Sequence, residues 1–409
     1  MHQTQYDCCV IGGGMIGAAI ALGLAKQSYK VALIEKQALA PFDANQAPDI
    51  RLSALNMHSA SLLTSLGAWQ HVQKMRFRPY NTLSVWDAEK ANLDFLSAIF
   101  SSKGTKRTRT QFTAKEVNQA LLGYFVENRL IQLALFDEIK ANYLHLIDCI
   151  HQQQINNIDV EKGIVALNNN QNIKASLIIG ADGANSKVRE AAGIATSGWQ
   201  YSQQANAILI KTRTKVPDET WQAFHASGPR ALLPMYDNYA CLVWYDSAVR
   251  SEQIKQASKT ELTQEIKINF PDLTQEFDVI KVAGFGLTRM HAHSYGKGRA
   301  VIAGDAAHSI NPLAGQGVNL GFQDVSVLLD IIQQHGLDDS SRIILNYEQK
   351  RKMPNLLMMS AMDILYKSFS TSSLPMAVVR NFGLALANNA GPLKQKALKY
   401  AMGIQTQFK

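Results

Sequence analysis

The stretch Tyr6-Asp7-Cys8-Cys9-Val10-Ile11-Gly12-Gly13-Gly14-Met15-Ile16-Gly17 decides the fold. Residues 6–11 form a short apolar run of strand type, residues 15–26 carry helical periodicity, and residues 31–35 form a second apolar run that ends on Glu35. The three together make a strand–helix–strand unit, with Gly12, Gly14 and Gly17 in G-x-G-x-x-G spacing at its turn. Glycines there permit a tight turn and let the backbone approach a pyrophosphate, which then sits on the helix N-terminus. Glu35 lies where a carboxylate accepts hydrogen bonds from an adenosine ribose, and its charge disfavours a 2′-phosphate, so FAD or NAD fits better than NADP. With strand, helix and acidic residue all in place, a dinucleotide site outweighs a glycine-rich packing turn.

Two further motifs lie downstream. Gly180-Ala181-Asp182-Gly183-Ala184-Asn185-Ser186-Lys187-Val188-Arg189 follows the buried strand predicted at residues 177–180. Taken alone, Asp-Gly is a turn and Ser186 a helix cap. Gly304-Asp305-Ala306-Ala307-His308 follows a strand at 299–303, and Asn311-Pro312-Leu313-Ala314-Gly315-Gln316-Gly317-Val318-Asn319 leads into a helix over 317–334. The start of that helix offers free N–H groups and a positive dipole end, suited to the anionic N1–C2=O edge of a reduced flavin. Helices are also expected at 53–66, 127–141 and 259–270, and strands at 82–87, 207–212, 230–234 and 240–245. The pattern predicts an α/β protein: a Rossmann-like domain over 1–76, 104–183 and 288–340, a β-rich domain over 77–103 and 184–287, and a helical region over 341–409.

Composition narrows the class. The 409 residues are 46% hydrophobic and 18% charged, too apolar for a disordered chain. Four cysteines without C-x-x-C spacing make neither a disulfide framework nor a dithiol centre, and a reducing, cytoplasmic compartment is expected. The uncharged run 8–25 has no basic segment before it and is interrupted by five glycines, so it reads as strand, turn and helix rather than a signal or a span. The net charge of +8 is confined to the C-terminal region: residues 342–409 hold ten basic and two acidic residues, and the remainder is neutral. Six of the twelve Met fall there as well. Apolar residues mixed with Lys352, Lys367 and Arg380 suit an anionic membrane surface, and an ordinary packing helix with a solvated basic face is the alternative. No nucleic-acid module is visible and the cations lack interleaved aromatics, so nucleic acid is not expected as a partner.

The three motifs, in this order and spacing, resemble the class A flavoprotein aromatic hydroxylases of the para-hydroxybenzoate hydroxylase fold. Within that group the chain from about residue 5 to 403 is similar to the ubiquinone-biosynthesis branch, on stretches such as Asp49-Ile50-Arg51-Leu52-Ser53, Tyr124-Phe125-Val126-Glu127-Asn128 and Leu242-Val243-Trp244-Tyr245-Asp246-Ser247. The resemblance implies a monooxygenase that uses FAD, NAD(P)H and O₂, through a C4a-hydroperoxyflavin, to hydroxylate the ring of a polyprenylated benzoquinol. It implies that Gly12, Gly14 and Gly17 hold the pyrophosphate and Glu35 the ribose, with Arg51 and Arg129 along the FAD. Asp182 serves FAD and reductant, Gly304 and Asp305 the ribityl chain or pyrophosphate, and Gly317, Val318 and Asn319 face the isoalloxazine. His308 is a candidate for proton traffic, with a structural place in the loop as the alternative, and Pro312 shapes the flavin loop. The resemblance also raises peripheral attachment to the inner membrane face and membership of a quinone-biosynthesis complex. Hydroxylation at another ring position or of another aromatic compound, and an FAD-bound scaffold without turnover, are the competing functions. Residues 101–115 depart from the pattern, being longer and more basic.

Among the other residues, His291 and His293 lack a third clustered ligand and read as loop residues rather than a metal site. Trp199, Trp221 and Trp244 read as core, with an aromatic pocket as the alternative.

Overall fold

A computed structural model describes residues 2–88, 109–311, 315, 317–369, 395, 399, 402 and 403. Pro312 and residues 101–108 lie outside them, as does most of the chain beyond 369.

The first sheet is built around His2–Ile11. It pairs in parallel with Val31–Glu35 on one side and Gln171–Gly180 on the other, with Ile147–His151 and Ala300–Ile302 outside these. Buried on both faces, these strands read as continuous apolar runs. Helix Met15–Lys26 is apolar all round because nine consecutive residues, 17–25, are buried. It packs against helices Asn128–Asn142 and Gly317–His335, so closely that a Cβ on Gly23 would lie 2.2 Å from Leu329.

The second sheet has eight strands and is mostly antiparallel. Its order runs His308–Ser309, Phe277–Ala292, Thr196–Thr212, Tyr239–Ser247, Arg230–Pro234, Glu219–Phe224, Thr82–Asp87, Thr110–Thr113. One face carries a core of its own, with Trp86, Trp221, Trp244 and Phe270 under helices Ala248–Gln256 and Lys259–Asn269. The sequence reading places residues 104–183 wholly in the first domain, whereas Thr110–Thr113 pairs with Thr82–Asp87 in this second sheet.

A third sheet has the order Leu52–Asn56, Gly123–Glu127, Arg78–Tyr80. This corrects the helix expected over 53–66. Its first residues are a strand on Gly123–Glu127, and the helix Met57–Ser65 begins only after Asn56, whose side chain accepts from Ser59 N. An Asn N-cap placed after a strand is a boundary that helical periodicity alone does not show.

The C-terminal region also differs from expectation. Residues Ser340–Phe369 form one helix whose Tyr347, Arg351, Asn355, Met358, Met359 and Met362 are buried. Its first thirty residues therefore belong to the body, and only the face bearing Leu345, Met353, Leu357 and Ile364 is exposed.

Candidate active site

All three motifs open at the same end of the first sheet. The parallel register sets Ile11 opposite Gly180 and Ile34, and Gly180 opposite Ile302, so each motif starts where a strand ends. Ligands of open α/β sheets bind at these carboxyl ends.

The three motif glycines have separate reasons. Gly12 has φ +97°, and a Cβ on it would lie 2.4 Å from Ala181 O. A Cβ on Gly17 would lie 1.8 Å from Gly12 O, so helix and turn touch backbone to backbone there. Gly14 meets nothing within 4 Å: it faces open space in front of the helix N-terminus. That is the cradle a pyrophosphate needs, one that a side chain would fill. Asp182 supplies a second sign of fit. Its Oδ2 accepts from Lys187 N at 2.7 Å, while its Oδ1 is buried without a partner among the described residues, an acceptor suited to a ribityl or ribose hydroxyl. The residues present therefore fit FAD.

The other predicted residues divide into those facing the cleft and those supporting it. Glu35 ends its strand and accepts from Gly13 N at 2.6 Å and Gln37 N at 2.9 Å, so its carboxylate holds the glycine turn. Arg51 and Asp305 are exposed at the cleft, and Gly317 and Val318 are half-buried at the helix start. Gly304 and Asp305 form the turn after Ala300–Ile302, tied to the second motif by Arg189, which donates to Ala306 O at 2.8 Å and Ala184 O at 2.7 Å. Arg129 is committed to the carbonyls of Ala40 and Pro41, and so holds the loop after Glu35.

Asn319 departs from expectation. It is buried, its Oδ1 accepts from Asn56 N at 3.0 Å and Ser59 Oγ at 2.7 Å, and its amide donates to Ala54 O and Gly315 O. Its side chain is engaged by protein groups and braces the loop at Gly315 against residues 54–59.

His308 is likewise turned inward. It is 1% exposed, and its Nε2 lies 2.6 Å from Asp324 Oδ2. Asp324 also accepts from Gly304 N at 3.1 Å, Arg351 Nε at 2.7 Å and Asn355 Nδ2 at 3.2 Å. Burial alone would raise this carboxyl, but His308 and Arg351 hold it well below the usual carboxylate range. The geometry gives His308 the structural role. Asp324 and Arg351 are not marked by any motif; the one local signal is an aspartate amid the apolar positions of helix Gly317–His335.

The network continues through Asn355 to Tyr295 OH at 3.1 Å and from there to His291 Nε2 at 3.1 Å. Burial and the nearby charges of His308, Lys352 and Arg289 push His291 down to about 4 from 6.5. Its folded pKa lies below its unfolded value, so the stability it supports is complete above pH 6.5 and is lost as pH falls toward 4. Urea midpoints measured across that window should fall in the wild type and flatten in His291→Phe. His293 turns away to Ser197 Oγ, so the two histidines do not converge.

Between the second and third sheets lies a cavity of about 470 Å³. Its walls are mainly apolar, with Leu83, Phe125, Leu233 and Val243, and its polar lining includes Arg51, Asn128, Gln222 and Tyr245. Trp221 lines it too, while Trp244 is core and Trp199 stands exposed under Arg289. Gly315, in the loop that leads into helix Gly317–His335, borders the cavity.

A parallel sheet with a dinucleotide cradle, together with an antiparallel sheet that walls an apolar cavity, defines an FAD-dependent monooxygenase of the para-hydroxybenzoate hydroxylase-like fold. Solved structures agree: p-nitrophenol 4-monooxygenase PnpA of Pseudomonas putida superposes with TM-score 0.75 at 15% identity over 98% of this chain and 99% of that one. PqsL of Pseudomonas aeruginosa gives 0.71 at 18%, over 90% and 97%. The model of the FAD binding domain matches residues 5–359. In sequence the chain is 40% identical to Escherichia coli 3-demethoxyubiquinol 3-hydroxylase, covering 99% of this chain and all of that protein. It is 30% identical to the human mitochondrial ubiquinone biosynthesis monooxygenase COQ6, over 98% and 93%. The chain belongs to the FAD binding domain family, within its branch of ubiquinone-biosynthesis hydroxylases.

Proposed function

We propose that the protein hydroxylates the ring of 2-polyprenyl-3-methyl-6-methoxy-1,4-benzoquinol, a polyprenylated benzoquinol of ubiquinone biosynthesis, using NAD(P)H and O₂. The observation that carries the reading is the 40% identity, along 99% of this chain and all of that protein, with the Escherichia coli 3-demethoxyubiquinol 3-hydroxylase. The apolar cavity, which lies between two sheets and is bordered by Gly315, supports it. Bound FAD supplies the electron transfer and oxygen activation. The chain's own part is to hold the cofactor with Gly12, Gly14, Gly17, Glu35, Asp182, Gly304 and Asp305, to place Arg51, Gly317 and Val318 beside it, and to keep the ring dry and oriented. Pro312, in the same loop, shapes the flavin approach in this reading.

The substrate's tail also gives a reason for a membrane-facing surface. No helix among the described residues is long and apolar enough to cross a bilayer. The exposed stripe Leu345, Met353, Leu357, Ile364 and Leu365, flanked by exposed Arg342, Lys350 and Lys367, supports peripheral attachment to an anionic inner membrane face, alone or within a quinone-biosynthesis complex. Arg351 and Lys352 take no part, being committed to Asp324, Glu348 and His293 O.

The test is the quinone-lipid profile of a deletion strain together with turnover by the purified protein. Accumulation of the demethoxy-type precursor, and its conversion in vitro with NAD(P)H consumed, are expected. Accumulation of the precursor of another ring position would overturn the assignment.

A further inference from the structure

Two stretches that carry the family resemblance, 49–53 and 124–128, lie side by side, with Leu52 paired to Glu127 in the third sheet. Glu127 ends its strand and is buried. Its Oε2 accepts from Asp49 N at 2.6 Å, and Asp49 Oδ1 in turn accepts from Arg51 N at 2.9 Å. Asn128, the next residue, donates its N–H to Arg51 O at 2.9 Å. Both backbone groups of Arg51 are therefore fixed. No hydrogen bond or ion pair holds its guanidinium among the described residues, and Arg51 lines the apolar cavity.

Arg76 holds Glu127 in turn. It is buried, and its Nη2 donates to Glu127 Oε2 at 3.1 Å. Its Nε lies 3.0 Å from Oε1, within reach for an ion pair though out of line for a hydrogen bond. Its other arm grips the loop that carries Arg51: Nη1 donates to Gln46 O at 2.5 Å, and the guanidinium lies 5.2 Å from the Phe42 ring centroid. Burial raises the Glu127 carboxyl in spite of Arg76, so the pair sits where charge is disfavoured. A buried ion pair of this kind adds little stability over an apolar pair of like volume. What this one adds is position, since its bonds converge on residues 42–51.

We infer that Arg76 and Glu127 form a clasp that positions Arg51, holding its backbone so that the free guanidinium meets FAD beside the cavity. Arg51 is the group that touches; Asp49, Glu127 and Arg76 are positioning residues. The inference rests on the reading of Arg51 as a residue beside FAD and adds what sets its place. Because the link runs Arg76–Glu127–Asp49–Arg51, cutting it anywhere loosens Arg51. FAD affinity should then fall, together with the share of NAD(P)H oxidation that ends in hydroxylation.

The test measures FAD dissociation from the full chain by flavin fluorescence, and product formed per NAD(P)H consumed by the FAD-loaded enzyme with a two-prenyl benzoquinol. Arg51→Ala sets the reference and is expected to weaken FAD about tenfold and to lower product per NAD(P)H about threefold. Asp49→Ala cuts the link without stranding a buried charge. It should reproduce most of both losses in the wild type, yet add less than about twofold in the Arg51→Ala background, because it acts through Arg51. The double variant Arg76→Met/Glu127→Met removes the clasp and fills its place with apolar groups. Its Tm should stay within a few degrees of wild type while FAD affinity and product yield fall as in Asp49→Ala. A pair with only a structural role would move Tm and leave FAD affinity and product per NAD(P)H unchanged. Where the double variant does not fold, the Asp49→Ala and Arg51→Ala cycle decides. Unchanged values in Asp49→Ala, or losses that multiply with those of Arg51→Ala, overturn the inference alone. Unchanged values in Arg51→Ala overturn the reading of Arg51 and the inference with it. A wild type that leaves the benzoquinol unhydroxylated overturns the substrate reading, and FAD dissociation then decides the clasp.

Discussion

Arg351→Ala is expected to destabilise the protein by about 3–5 kcal/mol, because it leaves the Asp324 carboxylate buried without its ion-pair partner. In Tm this corresponds to a fall of roughly 5–15 °C. Asp324 is fully buried and joins three segments: Gly304 of the third motif, His308 of the following strand, and the C-terminal helix through Arg351 and Asn355. Asp324→Asn in the Arg351→Ala background removes the orphaned charge and should recover part of the loss, so the two changes are not additive. Strict additivity in thermal or urea unfolding would show that the pair is not coupled. The pH sign follows from the depressed carboxyl. Its contribution is complete above the ordinary carboxylate range and is lost as pH falls through its lowered folded value, so the single Asp324→Asn variant should lose this acid limb. FAD retention should weaken too, since Gly304 N is oriented by Asp324.

The second large effect separates folding from cofactor binding within a single motif. Gly14→Val is expected to leave the apoprotein's Tm within a few degrees of wild type while lowering FAD occupancy at least tenfold, a loss of more than about 1.4 kcal/mol of binding. A Cβ at Gly14 meets nothing within 4 Å among the described residues, so the added side chain projects into the space left for the pyrophosphate. Gly17→Val should instead abolish folded protein, because its Cβ would lie 1.8 Å from a backbone oxygen that cannot move without unseating the turn. Flavin absorbance and thermal unfolding of the two variants decide the matter. A stoichiometrically yellow Gly14→Val protein would remove the pyrophosphate from this loop.

Much of the site is legible from the chain because it is written in local code. The G-x-G-x-x-G spacing, Glu35 at the end of the next strand, and the turns at Asp182 and Asp305 each follow an apolar strand, and each of those strands ends at the same edge of the first sheet. Residues that support the site from behind are less legible. Asn319 and His308 occur in motif stretches and were expected at the flavin, yet Asn319 bonds to Asn56 and Ser59, more than 250 positions away, and His308 to Asp324. Motif membership told that they matter and not which way they point.

The sequence by itself determined the cofactor class, the α/β core and the position of the charge excess, since glycine spacing, apolar runs and composition are properties of neighbours along the chain. Only the tertiary structure decided that the C-terminal helix belongs to the body, that Arg351 is an internal counter-ion rather than a surface charge, and that Tyr245 stands at the cavity wall with its hydroxyl turned to Asn311. The physical reason is that burial and hydrogen-bond direction depend on partners brought together by folding. Asp363 and Tyr201 are 162 positions apart, and no periodicity in either segment announces that they meet.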